Sequence, residues 1–376
     1  MSNVGGMQRV ATELYAALRE HPDVELSEHL LQSTWKRHWF EGPFYLTRGY
    51  RKIRKMIERR EVDAVLFTSI VTAALMFPPF ERRARNDVAM AAIVHGRDAM
   101  RPRGPYQVLV NRAFGLLDAV LPVSRATGEM CVQRGFPAEK VQVVPNGVNT
   151  ARFRSLEDAT TMRRALVDTL GDPARPLPDD ALLLCSVGRQ VPRKGFAWFI
   201  DQVMPLLPEA VHYWLVGEGP EAENIRAAIA RQGLEHRVRL LGRVSDEDLE
   251  TFYRGADLFI MPNIPVEGDM EGFGVVMLEA GMSGLPAIAA RLEGIRDVIT
   301  EGRNGHLLES GDAWAFSETI MQYHHDRNAL SEASQRAARF TRETFSWPAV
   351  ANRYVEVMKS LSTPSLVGKG VEIIDA

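Results

Sequence analysis

The chain has 376 residues, of which 45% are hydrophobic and 25% charged, and its net charge is −3. This composition belongs to a globular protein and excludes disordered, collagen-like and coiled-coil chains; at roughly 150 residues per domain, it predicts two or three domains. Only two cysteines occur, Cys131 and Cys185, in no C-x-x-C pattern, so neither a disulfide framework nor a cysteine metal site is expected, and a reducing compartment is the natural setting.

No apolar run reaches the length of about 18 residues that a membrane span needs. The opening MSNVGGMQRV is too polar for a signal peptide. The expected location is the cytoplasm. Charge is uneven. Residues 1–145 carry 21 Lys and Arg against 15 Asp and Glu, while the remainder carries 24 against 33. Two halves with different partners are expected. A nucleic-acid partner is not, because the total is negative and no reader motif is present.

The first predicted element is a helix over 7–20, opened by Gly5-Gly6. Paired glycines let a backbone approach a ligand, and a helix N-terminus offers free N–H groups to an anion. Phosphate binding and a plain N-terminal loop are both open readings. Residues 31–60 hold 9 basic against 2 acidic side chains. Trp35, Trp39, Phe40, Phe44 and Tyr45 precede Arg51, Lys52, Arg54, Lys55, Arg59 and Arg60, on a helix predicted over 48–60. Aromatics beside a cationic helix suit an anionic membrane surface; an ordinary solvated helix is the alternative.

Buried strands follow at 62–68, 88–95, 119–124 and 141–145, short runs rich in Val, Ile, Leu and Ala. They alternate with helices at 106–117 and 125–134, a pattern that predicts right-handed βαβ units and a doubly wound parallel sheet. Ile93-Val94-His95-Gly96 lies at a strand's carboxyl end. There His95 has three open roles: orienting a substrate, shuttling a proton, or satisfying a buried carbonyl. Pro145-Asn146-Gly147 is a turn signal and marks the end of the first half.

The second half repeats the theme. Strands are predicted at 182–187, 211–216, 238–241, 257–261, 286–290 and 305–308, and helices at 196–207, 220–232, 245–254, 273–281 and 313–323. Ser245 and Asp248 resemble a capping box. The loop Val187-Gly188-Arg189-Gln190-Val191-Pro192-Arg193-Lys194-Gly195 sets cations at a strand's carboxyl end. They suit a diphosphate and would stabilise charge on a leaving phosphate, unless the loop is simply basic and solvated. Next comes Glu267 to Glu279, an acidic Gly-rich loop running into a helix. Glu279 sits among Val, Met, Leu and Ala, where a carboxylate needs hydrogen-bond donors such as those of a ribose diol. A helix is predicted over 347–361, and 362–376 shows no periodicity and reads as a frayed tail.

In this order and spacing the motifs resemble glycosyltransferase family 4, from residue 4 to about 361. The resemblance rests on Gly5-Gly6 before a helix, His95 after a strand, Pro145-Asn146-Gly147-Val148, Arg189 with Lys194, and Glu271-Gly272-Phe273-Gly274 with Glu279, an E-x7-E pattern. It implies an α/β GT-B fold of two Rossmann-like doubly wound domains with a cleft between them. The acceptor-side domain would be 1–148, completed by 346–362. The nucleotide-sugar domain would be 149–345, with 363–376 a flexible tail. It also implies a retaining transferase that moves a hexose from a UDP- or GDP-linked sugar to a glycan or lipid-linked acceptor. A front-face displacement needs no enzymatic nucleophile, no cofactor and no tightly bound metal.

By the same resemblance Glu279 holds the ribose and Glu271 the donor sugar, Arg189 and Lys194 hold the diphosphate, and His95 lies beside the transferred sugar. Gly5, Gly6, Val244, Gly272, Phe273 and Gly274 complete the donor-binding set. The family normally has a strand before the Gly-Gly loop. Here only residues 1–4 precede it, so the expectation is either that the true start lies further upstream or that the first domain lacks its first strand. The alternatives are a nucleotide-sugar epimerase or hydrolase of the same fold, and a non-catalytic nucleotide-sugar-binding protein.

Overall fold

The computed structural model describes residues 6–29, 48–75, 88–96, 105–152, 159–362 and 370–374. The chain divides into two compact units, Met1–Gly147 with Trp347–Ala376, and Val148–Ser346. Both are parallel sheets carrying helices, the pair of Rossmann-like units of the GT-B fold.

The first unit begins with the helix Gly6–Arg19, followed by β1 (Leu26–His29), β2 (Val62–Phe67), β3 (Ala89–Val94) and β4 (Ala119–Pro122). All residues of β2, β3 and β4 are buried. Their apolar runs do not alternate with polar residues because both faces of a parallel sheet are covered. The helix over 48–58 buries Ile53 and Ile57. The run 141–145 lies along β4, with the Gln142 and Val144 amides donating to Val120 O and Pro122 O at 3.0 Å. It forms an isolated bridge at Val141 rather than the expected strand. Pro122 has no N–H to return the bond.

The second unit contains β5 (Leu182–Val187), β6 (Val211–Val216), β7 (Val238–Gly242), β8 (Leu258–Met261), β9 (Ala287–Ala290) and β10 (Gly305–Leu308), in the order β10-β9-β8-β5-β6-β7. The chain winds from β5 outward through β6 and β7, then returns to β5's other side through β8. Ligands bind beyond the carboxyl ends of the strands at such a switch point. Ser245 Oγ accepts from the Asp248 amide at 3.0 Å and caps the helix Asp246–Gly255, as the sequence predicts. The helix Arg327–Phe345 is outside the sequence expectation. Its buried stripe is Leu330, Ala333, Ala337, Thr341 and Phe345, mostly small residues with little hydrophobic signal.

The chain then returns to the first unit. The helix Trp347–Leu361 packs on Gly6–Arg19, with Lys359 Nζ 2.7 Å from Asp23 Oδ2 and His21 Nε2 2.8 Å from Asn352 Oδ1. The frayed tail expected over 363–376 is corrected in part: Gly370–Ile374 forms β11, parallel to both β1 and β2 and lying between them. The sheet order is therefore β1-β11-β2-β3-β4, and an interior position is filled from the far end of the chain.

Candidate active site

The loop leaving β5 ends in a short 3-10 turn, Pro192–Lys194, and then Gly195 at φ +65°. A Cβ on Gly195 would lie 2.0 Å from Pro262 O. Only glycine allows both that left-handed backbone and that approach. The turn thus docks on the segment after β8, where the Ile264 amide donates to Arg193 O at 3.0 Å. Lys194 is driven inward and buried. Its Nζ lies 2.7 Å from Glu271 Oε2 and 3.7 Å from Met261 Sδ. Arg193 Nη1 bridges both oxygens of Asp269 at 3.1 and 2.9 Å, and its Nε is 3.6 Å from Glu271 Oε2. Arg189, on the same loop, is exposed.

Burial pushes the Lys194 ammonium's pKa down, opposed by Glu271. Burial pushes the Glu271 carboxyl up, but Lys194 and Arg193 together hold it below the usual carboxylate range. At 2.7 Å each member depends on the other: removing one partner of a buried pair typically costs about 3–5 kcal/mol. Asn263 hydrogen-bonds Glu271 through its side chain, while its Oδ1 is buried without a partner.

Glu271 is also held through its backbone. Its amide donates to Glu293 Oε2, and its carbonyl accepts from the Gly294 amide at 3.1 Å. Gly274, at φ +86°, then opens the helix Val275–Met282. Glu279, on that helix, is buried and accepts from Tyr253 Oη at 3.1 Å. Burial, followed by the Glu279 charge, pushes the Tyr253 hydroxyl's pKa well up, so it stays a donor. Val244 is half-buried in the loop after β7.

In the first unit, His95 is buried after β3, with Nε2 3.2 Å from Thr68 O. Burial lowers its pKa to about 4, against the opposing pull of that carbonyl. The imidazole is neutral at physiological pH, and of the three sequence readings the contact fits the satisfied backbone carbonyl.

The family described as Glycosyltransferase Family 4 matches residues 4–152, and that described as Glycosyl transferases group 1 matches residues 181–326. The chain is related to the family 4 sugar transferases. It is 29% identical over 247 residues to the lipopolysaccharide core biosynthesis glycosyltransferase LpsE of Rhizobium meliloti, covering 66% of each chain. It is 31% identical over 279 residues to the D-inositol 3-phosphate glycosyltransferase of Streptomyces avermitilis, covering 66% of this chain and 57% of that one. The chain spans between 48% and 66% of the length of the first curated relatives it matches. Among solved structures, Anabaena Alr3699/HepE in complex with UDP superposes with a TM-score of 0.70 at 20% identity, covering 96% of this chain and 98% of that one. At that identity the likeness is one of fold.

Within the second unit the structure brings together Lys194 and Glu271, and places Gly272, Phe273 and Gly274 on the loop leading to Glu279. It separates Arg189 from Lys194: the two share a loop, but one faces solvent and the other is buried. Gly5 lies outside the described residues, as do Trp35, Trp39, Phe40, Phe44 and Tyr45; Gly6 is the first residue of its helix. Arg193, Asp269, Asn263, Tyr253 and Glu293 are additions that the sequence reading did not single out. Arg193 and Asp269 stood inside the motifs already quoted. Tyr253 and Glu293 come from other elements and carry no local signal.

Proposed function

We propose that this protein is a retaining glycosyltransferase. It moves a hexose from a nucleotide-diphosphate sugar to a hydroxyl of a glycan or lipid-linked acceptor. The observation that carries the reading is the buried Lys194–Glu271 pair at the sheet's switch point. It sets a desolvated cation and a hydroxyl-accepting carboxylate side by side in a chain related to sugar transferases. UDP is the first donor base to try, since the Anabaena protein of like fold is complexed with UDP; a guanosine-linked donor is the second.

In this reading Glu279 accepts the ribose hydroxyls, and Glu271 with the loop Gly272-Phe273-Gly274 receives the hexose. Val244 borders the nucleotide. Arg189 and Lys194 take the diphosphate and stabilise its developing charge in place of a metal ion. Gly6 and His95 are the first unit's candidates for contact with the phosphates and the transferred sugar. On one face of the sugar, the bond from C1 to the phosphate oxygen breaks and the bond from C1 to the acceptor oxygen forms. The acceptor's proton passes to the leaving phosphate. The acceptor enters on the first unit, whose cationic helix over 48–58 meets an anionic membrane from the cytoplasmic side.

The test is turnover of UDP-sugars with and without acceptor, in chelator. Arg189→Ala, at an exposed position, should fold as wild type and cut the chemical rate about 10²-fold or more. Lys194→Ala should do the same while also lowering the melting temperature. Wild-type turnover by Arg189→Ala, or activity that vanishes in chelator and returns with a divalent ion, would overturn the metal-free leaving-group role. Donor consumption without acceptor would point to the hydrolase or epimerase reading instead. Donor binding without any turnover would point to the non-catalytic one.

A further inference from the structure

Glu293 has a backbone that a glutamate rarely adopts. It is a non-glycine residue at φ +44°, in the turn after β9, where L side chains crowd their own backbone. Its side chain is half-buried, and burial raises its carboxyl's pKa, with the neighbouring Glu271 charge adding to the rise. Local conformation favours glycine here, and electrostatics favours a neutral side chain. One contact answers both costs: the carboxylate accepts the Glu271 amide.

The next residue closes the same clamp from the other side. The Gly294 amide donates to Glu271 O at 3.1 Å. A Cβ on Gly294 would meet Gly272 O at 2.2 Å and Glu271 O at 2.9 Å, so only glycine lets the two turns come so close. Residues 293–294 thus grip the backbone of 271–272 at donor and acceptor alike. Fixing that backbone fixes the direction in which the Glu271 side chain leaves it, toward Lys194 at 2.7 Å and Arg193 at 3.6 Å.

We propose that Glu293 is a positioning residue for the donor site, holding Glu271 in register with Lys194. The proposal rests on the donor-site reading above. It goes beyond that reading in giving a strained carboxylate from a separate turn control over the sugar-binding loop.

The experiment compares wild type, Glu293→Gly and Glu293→Gln. Glycine relieves the backbone at φ +44° but removes the acceptor; glutamine keeps an amide oxygen that can accept the Glu271 N–H. Glu293→Gly should melt at or above the wild-type temperature, lose about tenfold or more in kcat, and bind UDP within about twofold of wild type. Glu293→Gln should recover most of that kcat. Hydrogen exchange followed by mass spectrometry on the peptide containing Glu271 should be faster in Glu293→Gly and close to wild type in Glu293→Gln. Wild-type kcat and exchange in Glu293→Gly would overturn the proposal. So would a kcat loss that tracks a lower melting temperature and is not recovered by glutamine. If wild type turns over no nucleotide sugar, the donor-site reading fails, and the exchange arm alone still judges the clamp.

Discussion

At His95, burial decides the protonation state. The unfolded chain takes up a proton near pH 6.5, whereas the folded imidazole resists it until about pH 4. Between those values the unfolded state binds more protons, so stability falls as pH falls. A shift of that size corresponds to about 3 kcal/mol, present in full above pH 6.5 and lost by about pH 4. We expect denaturant melts at pH 7, 5.5 and 4.5 to show this loss in the transition of the first unit. His95→Asn, which has no group titrating in this range, should reduce the slope by one proton. An unchanged slope in His95→Asn would show that the loss comes from other groups. At Glu279 burial is answered by a partner instead: the buried carboxyl accepts the Tyr253 hydroxyl at 3.1 Å.

At the scale of the element, β11 is the most consequential strand. It lies between β1 and β2, pairing Leu26 with Val371 on one side and Ala64 with Val371 on the other. Taking it out would leave two strands of one sheet with unpaired backbone edges. We expect deletion of 363–376 to lower the melting temperature of the first unit sharply and to promote aggregation, while nucleotide binding by the second unit is retained. Circular dichroism melts with a parallel UDP titration would check this. A first unit as stable as wild type would mean that β11 adds nothing to the sheet. The cationic helix over 48–58 is simpler. Ile53 and Ile57 face the core, and Arg51, Arg54 and Lys55 are exposed. Arg54 is paired with Glu58 at 2.7 Å, and Lys52 donates to Ser27 Oγ at 3.1 Å. This divides the basic run into side chains tied to the fold and side chains turned to solvent.

For the whole molecule, the charge asymmetry sets a test of where it works. No helix among the described residues is long and apolar enough to cross a membrane; the exposed cations of the first unit are where surface attachment is to be tested. Each exposed Lys or Arg near an anionic surface contributes about 1 kcal/mol, weakened by salt. We expect the protein to float with vesicles containing anionic lipid at low salt, and to stay behind with neutral vesicles or at high salt. Reversing the charges of Arg51, Lys55, Arg59 and Arg60 should abolish flotation and leave UDP binding unchanged, since none of the four is among the proposed donor contacts. Flotation that ignores lipid charge and salt would defeat the electrostatic account, and none at all would favour a soluble acceptor.

The sequence by itself determined the alternation of strands and helices, because fully buried parallel strands such as β5 and β6 must be continuous apolar runs. It also determined the loops that follow those strands, and so the neighbourhood of Lys194, Glu271 and Glu279. Local pattern could not pair residues across the chain. Only the tertiary structure separated Lys194 from Arg189, by docking Gly195 on Pro262 and burying one cation while the other stayed in water. Only it drew Tyr253 to Glu279 and Glu293 to Glu271, from elements whose own periodicity says nothing of a site. And only it could place β11, since five residues without a clear pattern become an interior strand when two neighbouring strands present unpaired backbone to them.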